Sequence, residues 1–338
     1  MTSILLKLHT HVKHKRELII NKQMGSELVH CPLFKEKKLD NSLSGDKIQE
    51  AQNFYASFLK FTQAVFSDIS VLNINSIAKE IMALRSEIQN NRRFLLYARN
   101  FIEPVNDENY LASHAVRTTV IAMIIGKHLN IPPFRLLELG MAAFLHDIGM
   151  LNLPPQTYLN KLELKDPEKK LIFSHPIHSY NLLKSFNCPP SVSIAALEHH
   201  ERENGCGYPR KLTGEKISLF GKIIAVACSY EALSAKRSYK KMKDQHSGMV
   251  ELLKNEGNRY DITVVKAPVS ALSIYPIGTF VLLSNGKRGR VFNINPENQH
   301  YPVVQVEESI VRTSDHGIRI TSPLTCEEIN YKDNFGAA

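Results

Sequence analysis

The chain lacks the long apolar runs that mark membrane-spanning and secreted proteins. No stretch of its 338 residues approaches the ~20 consecutive apolar residues that cross a bilayer. Near the N-terminus only Ile4, Leu5 and Leu6 are apolar before Lys7 follows, which is too short for the apolar part of a secretory signal. These absences predict a protein that does not span a membrane.

Cysteine is also scarce. The five cysteines, an odd number, lie at positions 31, 188, 206, 228 and 326 and form no C-x-x-C pair. Disulfide frameworks of small secreted domains use even numbers of cysteines at regular spacings. The pattern therefore indicates reduced thiols and a cytoplasmic location.

Acidic residues are fewer than basic ones, and this balance limits the expected partners. The chain has 42 Lys and Arg against 33 Asp and Glu, a net charge of +9. Such a charge attracts nucleic acid, an anionic membrane or an anionic small ligand. No basic helix carries a recognisable DNA-binding pattern, so the sequence favours a phosphate-bearing ligand and no DNA partner. The 43% hydrophobic content is typical of a globular protein with a sizeable core.

The first 45 residues are basic and predict a small accessory module. Apolar and polar residues alternate over residues 6–13, which is typical of an exposed strand, and a second strand can begin at residue 28. His9, His11 and His14 could form a metal cluster, but no acidic or cysteine ligand accompanies them. Solvated histidines on a strand are therefore the favoured interpretation.

Apolar periodicity predicts a mainly α-helical chain that ends in a small β module. Helices are expected at residues 46–72, 77–95, 110–130 and 134–145, from His175-Pro176, from Ser191, and at 217–233 and 245–255. Strands are expected at residues 279–283, 289–294, 302–306 and 318–320. The predicted domains are an N-terminal accessory and regulatory region (1–100), a helical catalytic-type domain (101–270) and the β module (271–338). For the first two helices, signal transmission or dimer formation is an alternative to plain packing.

The most informative stretch is HHERENGCGYP at residues 199–209. His199 and His200 end a helical pattern, and Gly205 and Gly207 permit positive φ angles or the close approach of a ligand. For an isolated pair of histidines, an ordinary polar helix end is the simpler interpretation. Neighbouring residues of a helix point about 100° apart, so the pair can share a site only at a helix end or where the site holds more than one metal ion.

Other metal-type side chains accompany this pair. His146 and Asp147 end another apolar helix, and His114 lies on the inward face of the helix predicted before it. His175 completes the series, and His178 lies one turn further on as an alternative. A buried histidine must be hydrogen-bonded or ligated, so these residues predict a polar or metal-binding centre.

Two signatures in this order resemble the HD-GYP family. They are His146-Asp147-Ile148-Gly149, and His199-His200-Glu201-Arg202 followed by Gly205-x-Gly207-Tyr208-Pro209. The resemblance covers about residues 105–325. It implies an HD-type helical bundle with a small C-terminal β module. It also implies a metal-dependent phosphodiesterase that hydrolyses the bacterial messenger cyclic di-GMP to pGpG or GMP.

The resemblance further implies the residues of the site. The implied metal ligands are His114, His146, Asp147, His175, His199 and His200. They would hold two transition-metal ions, iron or manganese, with Asp147 as a bridging carboxylate beside a catalytic metal-bridging hydroxide. Some members recruit a third ion through an acidic residue one turn before the first histidine, where this chain has Tyr110. The implied substrate-binding residues are Arg202, Gly207, Tyr208, Pro209, Arg237 and Lys240.

Three positions depart from the family pattern. Met150 stands where the family has a phosphate-contacting lysine, and Asn204 replaces an acidic residue. Cys228 stands where an Asp completes the metal site, and Glu231, one turn further on, could reach the metal instead. A thiolate can bind metal, but it is an unusual ligand for a hydrolytic iron or manganese centre. An enzyme with these changes is expected to be slow.

Two functions from different classes follow. The first is an active cyclic di-GMP phosphodiesterase, and the second is a catalytically impaired relative that binds metal or cyclic di-GMP and signals through partners. A hydrolase of another nucleotide is a third alternative. Intact His199, His200 and Tyr208 favour the first function, whereas Met150 and Cys228 favour the second. Other cyclic di-GMP signalling proteins and a second copy of the chain are the further partners expected.

Overall fold

The computed structural model describes residues 45–98, 109–159, 165–234 and 245–324, the last range without 276, 294, 296–300, 308 and 314–316. All of them belong to one structural unit, Asn41–Ala338. Several predictions concern residues outside this description: the N-terminal strands, the histidines at positions 9, 11 and 14, Arg237 and Lys240.

Ten α-helices make up most of the described chain. They are α1 (Gly45–Ser67), α2 (Ile74–Ala98), α3 (Tyr110–His128), α4 (Pro133–Leu145), α5 (Pro155–Leu159), α6 (Asp166–Ser185), α7 (Pro190–Glu198), α8 (Leu219–Ser234), α9 (Gln245–Lys254) and α10 (Ile262–Leu272). A short 3-10 turn, Ile148–Asn152, follows α4. None of the helices in the described ranges combines the length and apolar character needed to cross a bilayer.

Proline and capping residues set where the site-bearing helices begin. A Pro-Pro pair marks the start of both α4 and α7. The first proline is the N-cap residue, and the second is the first residue of the helix, where no backbone hydrogen bond is lost. α6 begins after Lys165, whose backbone N–H donates to the Glu168 carboxylate at 2.8 Å. These local signals fix the start of three helices that carry metal-type residues.

α3 is the central helix of the bundle. Nearly every residue from Leu111 to Gly126 is buried, as expected for a helix that is covered on all sides. It packs against α1, α2, α4, α8 and α10. The Phe58 ring of α1 lies 5.7 Å from the Phe144 ring of α4, so the first helices share one apolar core with the rest of the bundle. The predicted domain boundary near residue 100 stays a prediction.

The C-terminal part is a five-stranded antiparallel sheet. Its strands are β1 (Phe280–Leu283), β2 (Arg288–Asn293), β3 (Val303–Val306), β4 (Ser309–Arg312) and β5 (Ile320–Pro323), in the spatial order β4-β3-β2-β1-β5. Its alternating inward residues form a separate small core, Val281, Leu283, Val291, Val304 and Val306. The mainly helical class and the β module are therefore confirmed.

One predicted helix start is wrong. His175 and Pro176 lie in the middle of α6, which begins at Asp166 with Pro167 and Glu168 in its first turn. These residues supply the start signals, and Pro176 is accommodated inside the helix. Three elements were not predicted: α5, α10 and β4. α10 contains Pro268 and begins with β-branched residues, which weakens its helical pattern in the sequence.

Candidate metal centre

Helix ends and inner helix faces bring the metal-type residues together. His146 and His199 are the C-cap residues of α4 and α7, and Asp147 and His200 follow directly. The others are His114 in α3, His175 in α6 and Cys228 in α8. Five helices therefore converge on one point that no single stretch of the sequence contains.

Asp147 lies at the centre of this convergence. Its Oδ2 atom is 3.4 Å from His146 Nε2 and 3.5 Å from His114 Nε2. Its Oδ1 atom is 3.1 Å from His175 Nε2 and 3.3 Å from His199 Nε2. Each oxygen of one carboxylate thus faces its own pair of imidazoles.

The possible ligand atoms form two groups, one on each side of the carboxylate. The first group is His114, His146 and Cys228, and the second is Asp147, His175, His199 and His200. Within each group the ligand atoms lie within 4.8 Å of one another. The structure thus brings together all six residues implied by the family resemblance, together with Cys228.

Backbone carbonyl groups orient three of the imidazoles. The Nδ1 atoms of His146, His175 and His199 lie 2.8, 2.6 and 2.8 Å from carbonyl oxygens three residues earlier in the chain. A carbonyl oxygen only accepts, so each Nδ1 carries the donating proton. In the neutral imidazole the Nε2 lone pair then points towards Asp147, as a metal ligand requires.

Pro176 explains how His175 obtains its carbonyl partner within a helix. The carbonyl oxygen of Ile172 would normally accept from the backbone N–H four residues later, which is position 176. Proline has no N–H, so this oxygen remains available for His175 Nδ1 at 2.6 Å. His146 and His199 need no such device, because carbonyl groups are free at helix ends.

His114 is oriented by a carboxylate instead. Its Nδ1 atom lies 2.5 Å from Glu231 Oε2, and Glu231 Oε1 lies 3.4 Å from Arg117 Nη1. Glu231 therefore sits behind His114, on the ring nitrogen opposite the one that faces Asp147. This placement fits an outer partner that orients a ligand better than it fits a ligand.

The electrostatic environment favours the ionised forms of Asp147 and Cys228 and the neutral form of His200. Burial opposes the ionisation of Asp147, but the imidazoles around it outweigh burial and hold its pKa well below the ordinary value. Burial opposes the thiolate of Cys228 in the same way, but the charges of His114 and His146 lower its pKa to about 6. Burial, reinforced by neighbouring imidazoles, lowers the pKa of His200 well below its ordinary value.

The geometry requires positive charge between these atoms. Asp147 Oδ1 is buried and accepts no hydrogen bond within the described part of the chain. Two Nε2 atoms approach to 3.3 Å between His114 and His146, and to 3.2 Å between His175 and His199. Lone pairs this close repel one another unless a proton or a metal ion lies between them. Imidazole nitrogen, carboxylate oxygen and thiolate sulphur all bind transition metals, so these residues fit a metal centre.

Gly149 lets the turn after α4 pack directly against α6, the helix that carries His175. A Cβ atom at this position would come within 2.8 Å of Ser179 Oγ and even closer to the backbone of α6. The Gly149 N–H donates to Ser179 Oγ at 2.9 Å, and this hydroxyl donates to the His146 carbonyl at 2.7 Å. The glycine is therefore needed for close packing against the helix of His175.

The loop after His200 folds back onto the end of α7. The buried Glu201 carboxylate accepts hydrogen bonds from the backbone N–H groups of Arg210, at 2.7 Å, and Leu212, at 2.8 Å. A Cβ atom at Gly207 would lie 2.5 Å from three atoms of residues 200–202. Only glycine fits there, and its role is close approach of the backbone.

The loop places Tyr208 between two rings. The Tyr208 ring centre is 4.6 Å from that of His200, at an interplanar angle of 18°, and 4.3 Å from that of Phe173, at 23°. If the rings of His200 and Phe173 lay on the same face of Tyr208 at these distances, they would overlap each other. They therefore cover opposite faces of the Tyr208 ring. Neither face of the Tyr208 ring is therefore available for stacking on a further ring in this conformation. Phe173 was not predicted, because an exposed Phe on a helix gives no sequence signal.

The remaining predicted residues lie around this loop or in the core. The Arg202 guanidinium donates to the backbone carbonyls of His199 and Glu201, and so contacts the end of α7. Asn204 donates to the Gly257 carbonyl at 2.7 Å and closes the loop. Met150 is buried in the apolar core.

The packing of the loop predicts a large difference between two neighbouring substitutions. Gly207→Ala should destabilise the protein by about 1–3 kcal/mol, because overpacking forces the backbone at residues 200–202 to shift. Cys206→Ala, at the adjacent exposed residue, should change stability by less than about 0.5 kcal/mol. Urea denaturation measures both. Equal stability of the two variants would show that the loop does not pack on the helix end as described.

Comparisons with known proteins show which proteins this chain resembles. Residues 98–264 match the family model described as HD domain. The chain is 29% identical over 208 residues to the cyclic di-GMP phosphodiesterase PdeB of Borreliella burgdorferi, which covers 62% of this chain and 55% of that protein. It is 31% identical over 200 residues to a cyclic di-GMP phosphodiesterase of Pseudomonas aeruginosa, covering 59% and 48%. The chain thus spans about half the length of these curated relatives.

A solved structure supports the fold. Bd1817, described as an HDG"Y"P protein from Bdellovibrio bacteriovorus, superposes with a TM-score of 0.56 at 18% identity and covers 68% of this chain and 73% of that one. At this identity the likeness shows the fold alone. The resemblance to the HD-GYP family is confirmed, and residues 98–264 of the chain match the HD domain model.

Proposed function

We propose that the chain is a metal-dependent phosphodiesterase that hydrolyses cyclic di-GMP. The observation that carries the proposal is the position of Asp147, whose two oxygens face separate pairs of imidazole Nε2 atoms. One carboxylate between two groups of ligands is the arrangement that a binuclear hydrolytic centre needs. The names of the two curated relatives support cyclic di-GMP as the substrate.

The proposed ligands divide between two transition-metal ions, iron or manganese. His114, His146 and Cys228 would hold one ion with Asp147 Oδ2, and His175, His199 and His200 would hold the other with Oδ1. Glu231 is assigned to the orientation of His114 and not to a metal. Tyr110, whose ring stacks 6.4 Å from that of His114, stands where a carboxylate would recruit a third ion.

The chain's own residues divide the work of hydrolysis. Metal ions held by these residues would activate a water molecule and neutralise charge on the phosphoryl group. Asp147 fixes the position of both ion sites, and the carbonyl and carboxylate partners of the imidazoles hold the ligands in one orientation. Five helices bury most of the centre, with His200 and Cys228 half-buried, and this burial strengthens the electrostatic interactions within it.

The loop of residues 207–209 is proposed to contact the substrate phosphates. Burial, with the negative charges of Asp147 and Cys228, raises the pKa of Tyr208, so its hydroxyl keeps its proton at neutral pH. A protonated hydroxyl beside the centre can donate a hydrogen bond to a phosphate oxygen. Gly207 and Pro209 hold the tyrosine in place. Arg202, Arg237 and Lys240 remain proposed substrate contacts, and the last two lie outside the described residues.

The alternative function can be distinguished from this proposal by experiment, and several expected partners stay predictions. Binding of cyclic di-GMP without turnover would make the chain a binding module. A homodimer, other cyclic di-GMP signalling proteins as partners, and a cytoplasmic location stay predictions.

Asp147→Asn should release the metal and abolish turnover. The amide keeps the shape of the carboxylate but loses the charge that compensates the two ions. We expect the wild type to contain about two transition-metal ions per chain and to lose thermal stability when a chelator removes them, because the ligand atoms are then buried without a cation. In the variant the chelator should leave the melting temperature unchanged. Metal analysis and thermal melts measure these effects.

The control for this variant is Asp166→Asn, at an exposed residue in the first turn of α6. It should keep its metal, its chelator response and its turnover of cyclic di-GMP to linear products, which chromatography separates. Wild-type protein that is loaded with manganese or iron(II) and leaves cyclic di-GMP intact would overturn the proposed activity. Unchanged metal content in Asp147→Asn would overturn the proposed centre.

The position of Met150 predicts that a lysine cannot be restored there without loss of stability. The side chain is 9% exposed and belongs to the apolar core, so Met150→Lys buries a charge. It should lower stability by more than about 1 kcal/mol and give no faster turnover, whereas Met150→Leu should cost less than about 1.5 kcal/mol. A folded Met150→Lys variant with higher turnover than the wild type would show that this side chain reaches the substrate.

A further inference from the structure

The two halves of the proposed centre offer chemically different ligands. The half around Asp147 Oδ1 has three imidazoles, whereas the half around Oδ2 has two imidazoles and the Cys228 thiol. Cys228 Sγ lies 3.6 Å from His114 Nε2, the nitrogen that faces Asp147. The sulphur is therefore on the ligand side of His114, and Glu231 is on the other side.

We infer that Cys228 binds metal as a thiolate and makes its half of the centre selective for zinc or iron over manganese. This inference rests on the proposed function and specifies the metal that one half of the centre takes. Thiolate ligands favour zinc and iron, whereas manganese is best suited to oxygen ligands. The half with His175, His199 and His200 contains no sulphur and lacks the additional preference that a thiolate gives.

The charge of the centre supports this assignment. A thiolate carries one negative charge, as does the Asp that the family resemblance implies at this position. The substitution therefore keeps the charge available to neutralise the ions and changes only the softness of the ligand. Within the described part of the chain, Asp147 Oδ1 is a buried acceptor without a hydrogen bond, which independently indicates that a cation belongs in the centre.

Cobalt(II) is the probe that reports a sulphur ligand directly. Metal-free protein titrated with cobalt(II) should develop a thiolate-to-cobalt charge-transfer band in the near ultraviolet. Cys228→Ser and Cys228→Asp should lose this band and still bind cobalt through the imidazoles. Cys206→Ser on the exposed loop and Cys188→Ala in the core should keep it, because neither residue lies with the ligand atoms.

Metal competition gives a second readout that does not depend on activity. Cys228→Asp should gain in manganese affinity relative to zinc by roughly tenfold or more, the scale on which the surroundings of a site alter metal binding. Cys228→Ser, which is nearly isosteric with the wild type, serves if the carboxylate variant does not fold. An unchanged manganese-to-zinc ratio in both variants overturns the selectivity.

The outcomes separate this inference from the proposed function. Two cobalt ions bound without a charge-transfer band would overturn the thiolate ligand and leave the binuclear centre standing. A band that survives in both Cys228 variants would assign it to another cysteine and overturn the inference. Failure of the wild type to bind any metal would overturn the proposed function itself.

A second, independent observation concerns the column of rings above the centre. His200, Tyr208 and Phe173 stack in that order, from a proposed metal ligand outward. Tyr208 is covered on both faces, whereas Phe173 is 48% exposed. Phe173 also lies two residues before His175 on α6, so the helix holds its ring at a fixed distance from the centre.

The geometry points to Phe173 as the stacking platform for a guanine base of the substrate. This assignment rests on the proposed function, because it places a base next to the phosphodiester at the metal centre. Any nucleic acid base can stack on an exposed aromatic ring, and Phe173 offers such a ring at the end of the column. The platform therefore contributes to binding and not to the chemical step.

Phe173→Ala should raise the KM for cyclic di-GMP roughly 10- to 100-fold, the usual range for the loss of one base-stacking contact, with little change in kcat. Phe173→Tyr should restore binding. Ile177→Ala removes a similarly exposed apolar side chain one turn further along α6 and should have no effect. Inhibition by inorganic phosphate, which has no base, and metal content should be unchanged in all three variants.

A normal KM in Phe173→Ala, with cyclic di-GMP hydrolysed by the wild type, overturns this assignment alone. An equal loss in Ile177→Ala, or a changed oligomeric state in Phe173→Ala, would show that this face of α6 contacts another protein copy and not a base. No turnover in the wild type would instead overturn the proposed function.

Discussion

The convergence of lone pairs on Asp147 is the constraint on which the rest of the structure depends. Four imidazole Nε2 atoms lie 3.1–3.5 Å from the two oxygens of one buried carboxylate. Acceptors at such distances are unfavourable in a low-dielectric interior unless cations lie between them. A metal centre would resolve the repulsion, and binding of the ions would then be part of the stability of the folded protein.

The helical architecture serves this convergence through backbone chemistry. Free carbonyl groups at helix ends orient His146 and His199, and Pro176 frees an equivalent carbonyl for His175 within α6. Gly149 allows the turn after α4 to touch α6, so the ligands from the two helices keep one spacing. The loop at Gly207 then packs on the last ligands and carries Tyr208 over them. The two glycines of the signatures thus act mainly by permitting close contact between backbones.

Much of this could be predicted from the sequence, and the remainder has physical reasons. The proposed ligand set is the one that the family resemblance implies, and the residues that carry the resemblance include His146-Asp147 and His199-His200. The role of Pro176 was missed because a proline beside a histidine looks like a helix start, although α6 already had one at Lys165. The place of Glu231 could not be predicted either, since residues one turn apart can face a ligand or stand behind it. Phe173 gave no signal, because stacking on Tyr208 depends on a long-range contact.

The central claim is that Asp147 bridges two ion sites with unlike ligands. Anomalous X-ray scattering from crystals of the metal-loaded protein tests it most directly, because it locates each metal and identifies its element. The account predicts two peaks, one beside each oxygen of Asp147, with the sulphur of Cys228 coordinating only the ion shared with His114 and His146. A single peak, or two peaks that do not share Asp147, would contradict it.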